Sequence, residues 1–229
     1  DSGTKTVFGR SGAFGWQDAC RLCVENPAHA GFLVRKLWSA FVPKPPPAAT
    51  QAALGAAYRQ TPEIRPLVEA ILRHPDLYGT ARMVKPPVVY TAGLLRALGR
   101  PLDSIVWTKL DAASGQRLFY PPNVAGWDDT RWLDTATFRG RWFVAATALA
   151  SLRHDEKSPS ASIPSKPQEL VNRTIALLGG PLVSAKTRHA LHSFAGRALV
   201  DAKPLGHAPA IVENALRQLL ATSPDLQTS

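Results

Sequence analysis

Long hydrophobic runs are missing from this chain: no stretch approaches the roughly 18 apolar residues that a helix needs to cross a bilayer, which excludes a transmembrane helix. Cysteine is scarce too, with 2 in 229 residues. A structural zinc site needs two ligands beyond Cys20 and Cys23, and neither a second C-x-x-C nor a nearby His pair supplies them. The phosphate and dinucleotide patterns G-x-x-x-x-G-K and G-x-G-x-x-G do not occur, nor does the G-x-S-x-G of serine hydrolases. Nucleotide-dependent functions are thereby excluded, no cofactor is implied, and whether the chain is an enzyme stays open.

Acidic residues are outnumbered, 17 Asp and Glu against 27 Lys and Arg, for a net charge of +10 and a pI near 10.1. That balance biases the protein toward acidic partners such as nucleic acid, anionic lipid or acidic glycan. The basic residues are scattered, however, as in Arg35 and Lys36, Arg139 and Arg141, or Lys186 and Arg188, with no run of five like charges. Their spacing reads as the solvated faces of helices, so nucleic acid is disfavoured. Polyanion binding through Arg139, Arg141, Lys186 and Arg188 is kept as an alternative.

With 45% hydrophobic and 19% charged residues, the chain can bury one sizeable core, or a core plus a small subdomain. The dominant periodicity is helical. Ile64, Leu67, Val68, Ile71 and Leu72 recur at i, i+3, i+4, i+7 and i+8, and Val212, Ala215, Leu216, Leu219 and Leu220 repeat the pattern. Further helices are expected over Ala30–Val42, ended by prolines, from Pro86-Pro87 to Gly99, over Thr135–Leu152 with Phe138, Trp142, Ala145 and Leu149 on one side, and from a Ser165/Gln168 capping box to Gly179-Gly180. Asn26 and Ser223 precede Pro and can cap the turns that follow. The expected fold is mainly α, an irregular multi-helix domain with long structured loops and few or no strands, a short hairpin near Lys5–Phe14 or Arg117–Tyr120 at most. Residues 1–152 would form the main helical portion, 153–167 a Ser/Pro-rich linker or loop, and 168–229 C-terminal helices packing back on the main portion.

Seven of the eighteen aromatic residues fall between Gly115 and Phe143, in GQRLFYPPNVAGW followed by TRWLDTATFRGRWF. Tyr120-Pro121-Pro122-Asn123 is stiff, because each proline fixes its own φ and restricts the residue before it, and Gly126 permits a tight turn before Trp127. Such a loop can present Tyr120, Asn123, Trp127, Arg131 and Trp132 as a binding surface. The same features suit a buried plug, with Trp127 and Trp132 filling the core, Asn123 bonding backbone and Asp134 capping the next helix. A hydrolytic reading would use two of Asp128, Asp129 and Asp134 as acid and base; adjacent aspartates point apart and loop aspartates often serve turns, so these are weak candidates.

Cys20 and Cys23 are expected to be small buried apolar residues, with a local disulfide or a redox or metal role as alternatives. In the redox case Asp18 would cap a helix and place Cys20 at its second position. His189 and His192, at i and i+3, and His154-Asp155-Glu156 in the linker carry no convincing metal pattern, so no metal is expected.

The segments Asn26–Trp38, Gly115–Trp127, Trp132–Thr137 and Leu219–Gln227 together resemble the bacterial family catalogued as domain of unknown function 1800. The resemblance covers essentially the whole chain and is to the C-terminal half of family members. With the chain opening on Asp1 in a polar stretch, it reads as a fragment whose partner would include its own missing N-terminal half. Asn26 stands where the family usually has His, and Asp134 where it usually has Asn; capping is the favoured role of Asn26, the Asp134 change adds a carboxylate beside the aromatic loop, and both weaken a catalytic claim carried by the resemblance. The resemblance implies an exported protein, periplasmic or extracellular, which would permit a Cys20–Cys23 disulfide. The expected function is that of a binding or structural module for a cell-envelope or extracellular polymer or protein. The main alternative is a hydrolase using the loop carboxylates, completed by the missing half.

Overall fold

The computed structural model describes residues 2–157 and 162–229, and the helical periodicity of the sequence is realised in it. Residues 158–161, in the middle of the Ser/Pro-rich stretch, lie outside the described residues. The chain divides into two compact units, Asp1–Met83 and Val84–Ser229. Among the described residues the only strands longer than an isolated bridge form a hairpin, so the fold is mainly α.

The first unit opens with that hairpin, β1 (Lys5–Val7) antiparallel to β2 (Arg10–Gly12), with Thr6 opposite Ser11. Phe8 and Gly9 between them have φ of 49° and 77°, the positive pair that a two-residue hairpin turn of matching twist requires. Helix α1 (Trp16–Glu25) is capped by Gly15, whose N–H donates to Asp18 three residues on, at 3.1 Å. The helix therefore starts earlier than an Asp18 cap would place it, and Cys20 becomes the fifth helical residue, beyond the first-turn N–H groups that stabilise a thiolate. Both cysteines are free and exposed. This corrects the expectation of burial: α1 turns only Leu22 fully inward.

Helices α2 (His29–Ser39), α3 (Ala48–Gln60) and α4 (Ile64–Leu72) complete the unit. Asn26 caps the turn into α2, its Oδ1 accepting the Ala28 N–H at 2.9 Å. Val34, Trp38, Val42, Leu67 and Ile71 form the core, and the Trp38 indole donates to the Lys44 carbonyl at 2.7 Å, fastening the proline-rich turn that ends α2. Helix α3 has an alanine-rich sequence without large apolar periodicity, which hides it from pattern reading; it holds by propensity and by the close approach of Gly55 to Ala30.

In the second unit α5 (Pro87–Ala97), α6 (Val106–Ala113) and α7 (Thr135–Leu149) pack around a core shared with α8 (Pro167–Leu177), α9 (Ala185–Asp201) and α10 (Ala208–Ala221), and the chain closes with the short α11 (Pro224–Gln227). Gly99, at φ +63°, follows the end of α5. The expected capping box of α8 does not form: Lys166 is the cap residue without a side-chain bond, Pro167 occupies the first position, and Gln168 bonds Asn172 at 3.0 Å. Ser223 likewise precedes α11 without capping it by its side chain. At the end of α8 Gly179 and Gly180 do turn the chain, both with positive φ.

Helix α7 is the centre of this unit, in contact with α5, α6 and α10. Its rotation differs from expectation. Val144, Ala145, Ala148 and Leu149 are buried, whereas Phe138 and Trp142 stay more than a third exposed. The cause is Gly140: a Cβ added there would lie 2.6 Å from the Ala113 carbonyl group, so α6 and α7 touch through backbone at this point. The described part of the Ser/Pro-rich stretch is anchored, since His154 N–H donates to Asn214 Oδ1 at 2.9 Å and Asn214 Nδ2 donates back to the His154 carbonyl at 3.0 Å. No helix among the described residues is long and apolar enough to cross a membrane.

Substituting Gly140→Ala is expected to destabilise the protein by about 1–3 kcal/mol, the cost of overpacking a closed contact. Thermal unfolding followed by circular dichroism measures it, and an unchanged midpoint would show that α6 and α7 can part freely.

Candidate functional site

Helix α6 ends at Ser114, and Gly115, at φ +100°, turns the chain into the loop that returns at Trp132. The loop's two ends meet: a Cβ added to Gly115 would lie 3.1 Å from Trp132 Cδ1 and 3.2 Å from Thr137 Cγ2. Gln116, buried, fixes the outgoing limb, its N–H donating to the Asp111 carbonyl at 2.9 Å and its Oε1 accepting the Val88 N–H at 3.1 Å.

Beyond that base the loop leaves the protein surface. Phe119 is 88% exposed and Tyr120 66%, and Val124 is fully exposed. Phe119 sits at φ +60°, a conformation disfavoured for a bulky side chain. The Arg117 guanidinium lies 4.4 Å from the centre of the Tyr120 ring, a cation–π contact. Asn123 closes the tip, its Oδ1 accepting the Ala125 N–H at 2.8 Å and its carbonyl accepting the Gly126 N–H at 3.1 Å. Gly126, at φ +98°, then carries the chain inward to Trp127.

The returning limb is structural. Trp127 is half-buried, and Trp132 retains only 9% exposure; the indole N–H of each is buried and meets no acceptor among the described residues. Asp128 Oδ1 accepts the Thr130 N–H at 3.1 Å and so starts a 3-10 turn over Asp129–Arg131. Asp134 caps α7, accepting the Thr137 N–H at 2.9 Å, and the exposed Arg131 pairs with it at 3.4 Å. The Thr137 backbone N–H, then the Thr137 hydroxyl and Arg131, hold the Asp134 carboxyl below the usual carboxylate range. The structure thus groups Arg131, Trp132 and Asp134 at the base of the loop, and Tyr120 and Asn123 near its tip. Asp128 and Asp134 are each committed to a helix start, and Asp129 is exposed on the 3-10 turn.

Beneath the base lies Arg141, with 0% exposure. Its position corrects the reading that placed it on a solvated face. Its Nε donates to the Trp132 carbonyl at 2.8 Å, Nη1 to Gln227 Oε1 at 3.0 Å and Nη2 to the Lys85 carbonyl at 2.7 Å, and it lies 5.5 Å from the Tyr90 ring centre. Burial lowers its pKa to about 10, which leaves it protonated at neutral pH. Burial also raises Asp111, against a hydrogen bond from Thr91.

A second buried ionic group escaped the sequence reading. Glu213, at 0% exposure, accepts from Arg217 at 2.9 Å and pairs with Arg173 at 3.1 Å. His154 Nε2 lies 2.7 Å from its other oxygen and 2.8 Å from Arg217 Nη2. The legible signal was that α10 is apolar nearly all round. Such a helix is buried, and its charged residues must then be buried in pairs. Among the described residues no three His, Cys, Asp or Glu gather so as to hold a metal ion.

The family model described as "Protein of unknown function (DUF1800)" matches residues 1–228, so the chain belongs to that family. No curated protein and no solved structure matches it.

Two outcomes follow from this geometry. The folded-state pKa of Asp134 lies below its unfolded value, so its contribution to stability is present above the unfolded carboxylate pKa, near 4, and is lost as pH falls through the folded value. Asp134→Asn keeps an acceptor for the α7 cap, so the acid-induced fall in melting temperature below about pH 4 should be shallower in this variant than in the parent; equal slopes would remove Asp134 from the acid response. Arg141→Met leaves three acceptors without their donor and is expected to cost about 3 kcal/mol. Amide exchange should then accelerate first around Trp132 and Gln227, and uniform acceleration would count against a local anchor.

Proposed function

We propose that this protein is a non-catalytic binding module, exported to the cell envelope, that engages an envelope or extracellular polymer or protein through the loop between α6 and α7. The observation that carries the reading is the outward projection of Phe119, Tyr120 and Val124 from a loop whose base is fixed. Large apolar side chains grouped in the open on a rigid support mark an interaction surface more often than chance exposure does. Tyr120, with an apolar ring, a polar end and Arg117 against its face, suits a partner that mixes apolar and polar groups, as a sugar ring or a protein surface does. Export comes from the family resemblance.

The hydrolytic alternative has less support. A glycosidase-type pair needs one carboxyl raised in pKa to serve as acid, whereas Asp134 is held ionised at a helix start. The polyanion alternative loses Arg141 to burial.

The test is co-sedimentation with isolated peptidoglycan sacculi and with washed envelope particles, comparing the parent with a Phe119→Ser, Tyr120→Ser, Val124→Ser variant. Loss of the three apolar contacts should weaken binding at least about tenfold while the far-ultraviolet spectrum stays unchanged. Equal retention of the two proteins, or no retention of either, would refute the proposal. Retention that collapses between about 50 and 200 mM salt would transfer it to polyanion binding.

A further inference from the structure

Away from the loop, α7 and α10 enclose a groove of about 340 Å³, within the size range of small-molecule sites. One part of its lining is apolar: Trp142, Leu149 and Ile211. Trp142 is 39% exposed on α7, and its carbonyl accepts from Gln218 Nε2 at 3.0 Å, which ties this turn of α7 to α10. The other part is charged. Arg153, Glu156 and Arg217 line it, with Glu213 and Arg173 behind them.

The charges in this cluster do not cancel. Arg153 pairs with Glu156 at 2.9 Å, and Arg173 and Arg217 share Glu213, so three guanidinium groups face two carboxylates even with His154 neutral. Arg217 is only 5% exposed. Its Nη1 donates to the Leu152 carbonyl, and its Nη2 donates to Glu213 and lies 2.8 Å from His154 Nε2, while its Nε, enclosed by protein, meets no acceptor among the described residues. A buried cationic donor without an acceptor is costly and rare, and here it belongs to a residue that lines a groove. An Arg edge is shaped for a carboxylate.

We propose that this groove binds a small amphipathic anion, a carboxylate carried on a flat or branched apolar body. The carboxylate meets Arg217 and Arg153, and the body lies on Trp142 and Leu149. The excess positive charge selects an anion over a neutral ligand, and the groove's volume limits the ligand to a small molecule. The site is independent of the loop and of the function proposed for it.

Isothermal titration calorimetry of the whole chain with 2-naphthoate and with its neutral counterpart 2-naphthamide tests the proposal. Naphthoate should bind with a dissociation constant below about 1 mM, and the amide at least about tenfold more weakly. Arg153→Gln, an exposed substitution, should weaken naphthoate by about threefold to tenfold, and Ala146→Trp, which fills the groove, should abolish binding. The loop triple variant should bind naphthoate as the parent does, so failure here is distinguishable from failure of the loop reading. No measurable heat up to about 5 mM naphthoate, equal affinity for the amide, or unchanged binding by Arg153→Gln and Ala146→Trp would each overturn it.

Discussion

Arg141 carries a positive charge to a position with 0% exposure, and a cation there is tolerable only because acceptors from three separate segments, two of them distant in sequence, converge on it. The Trp132 carbonyl comes from the end of the aromatic loop, the Lys85 carbonyl from the entry to the second unit, and Gln227 from α11. Each is polar, and each has its place fixed by the same planar group. Gln227 also donates to the Ala221 carbonyl at 3.0 Å, and its own carbonyl accepts the Lys85 N–H at 2.9 Å. The chain's last helix is thereby fastened to the start of the unit. Remove the guanidinium and the loop base, the segment at Lys85 and the C-terminal turn lose a shared partner together.

That anchor explains why one loop can be half structure and half display. From Trp127 to Asp134 the Asp128 and Asp134 carboxylates are used in helix starts and the Trp132 carbonyl in the Arg141 bond, and Trp132 fills space against Gly115. From Phe119 to Val124 the side chains instead face solvent on a backbone held by Gln116 on one limb and the Asn123 turn at the tip. A positive φ at Phe119 persists only where the surroundings over-determine the local conformation. Rigidity in the base and exposure at the tip are two consequences of the same closure.

The ionic cluster on Glu213 follows a similar logic with a different balance. Around Arg141 the compensation is mostly by neutral dipoles, so one formal charge is spread over carbonyl groups. Around Glu213 it is by ion pairs, and these do not sum to zero. Surplus positive charge there lies beside an apolar groove, whereas at Arg141 every donor nitrogen already has a partner.

The sequence by itself determined the helices whose apolar residues repeat at helical spacing, the breaks at proline and glycine, and the Asp134 and Asn26 caps, because these depend on neighbours within a turn or two. It also made the aromatic loop conspicuous through composition. It did not reveal α3, whose alanines carry no periodic signal, nor the exposure of Cys20 and Cys23, which depends on which face of α1 the unit covers. Tertiary structure alone decided the rotation of α7, set by the contact of Gly140 with Ala113, and the fate of Arg141. A charged residue read singly belongs in water; for Arg141, contacts across 56 and 86 residues of chain complete the set of partners that makes its burial stable, and no local pattern encodes contacts at that range.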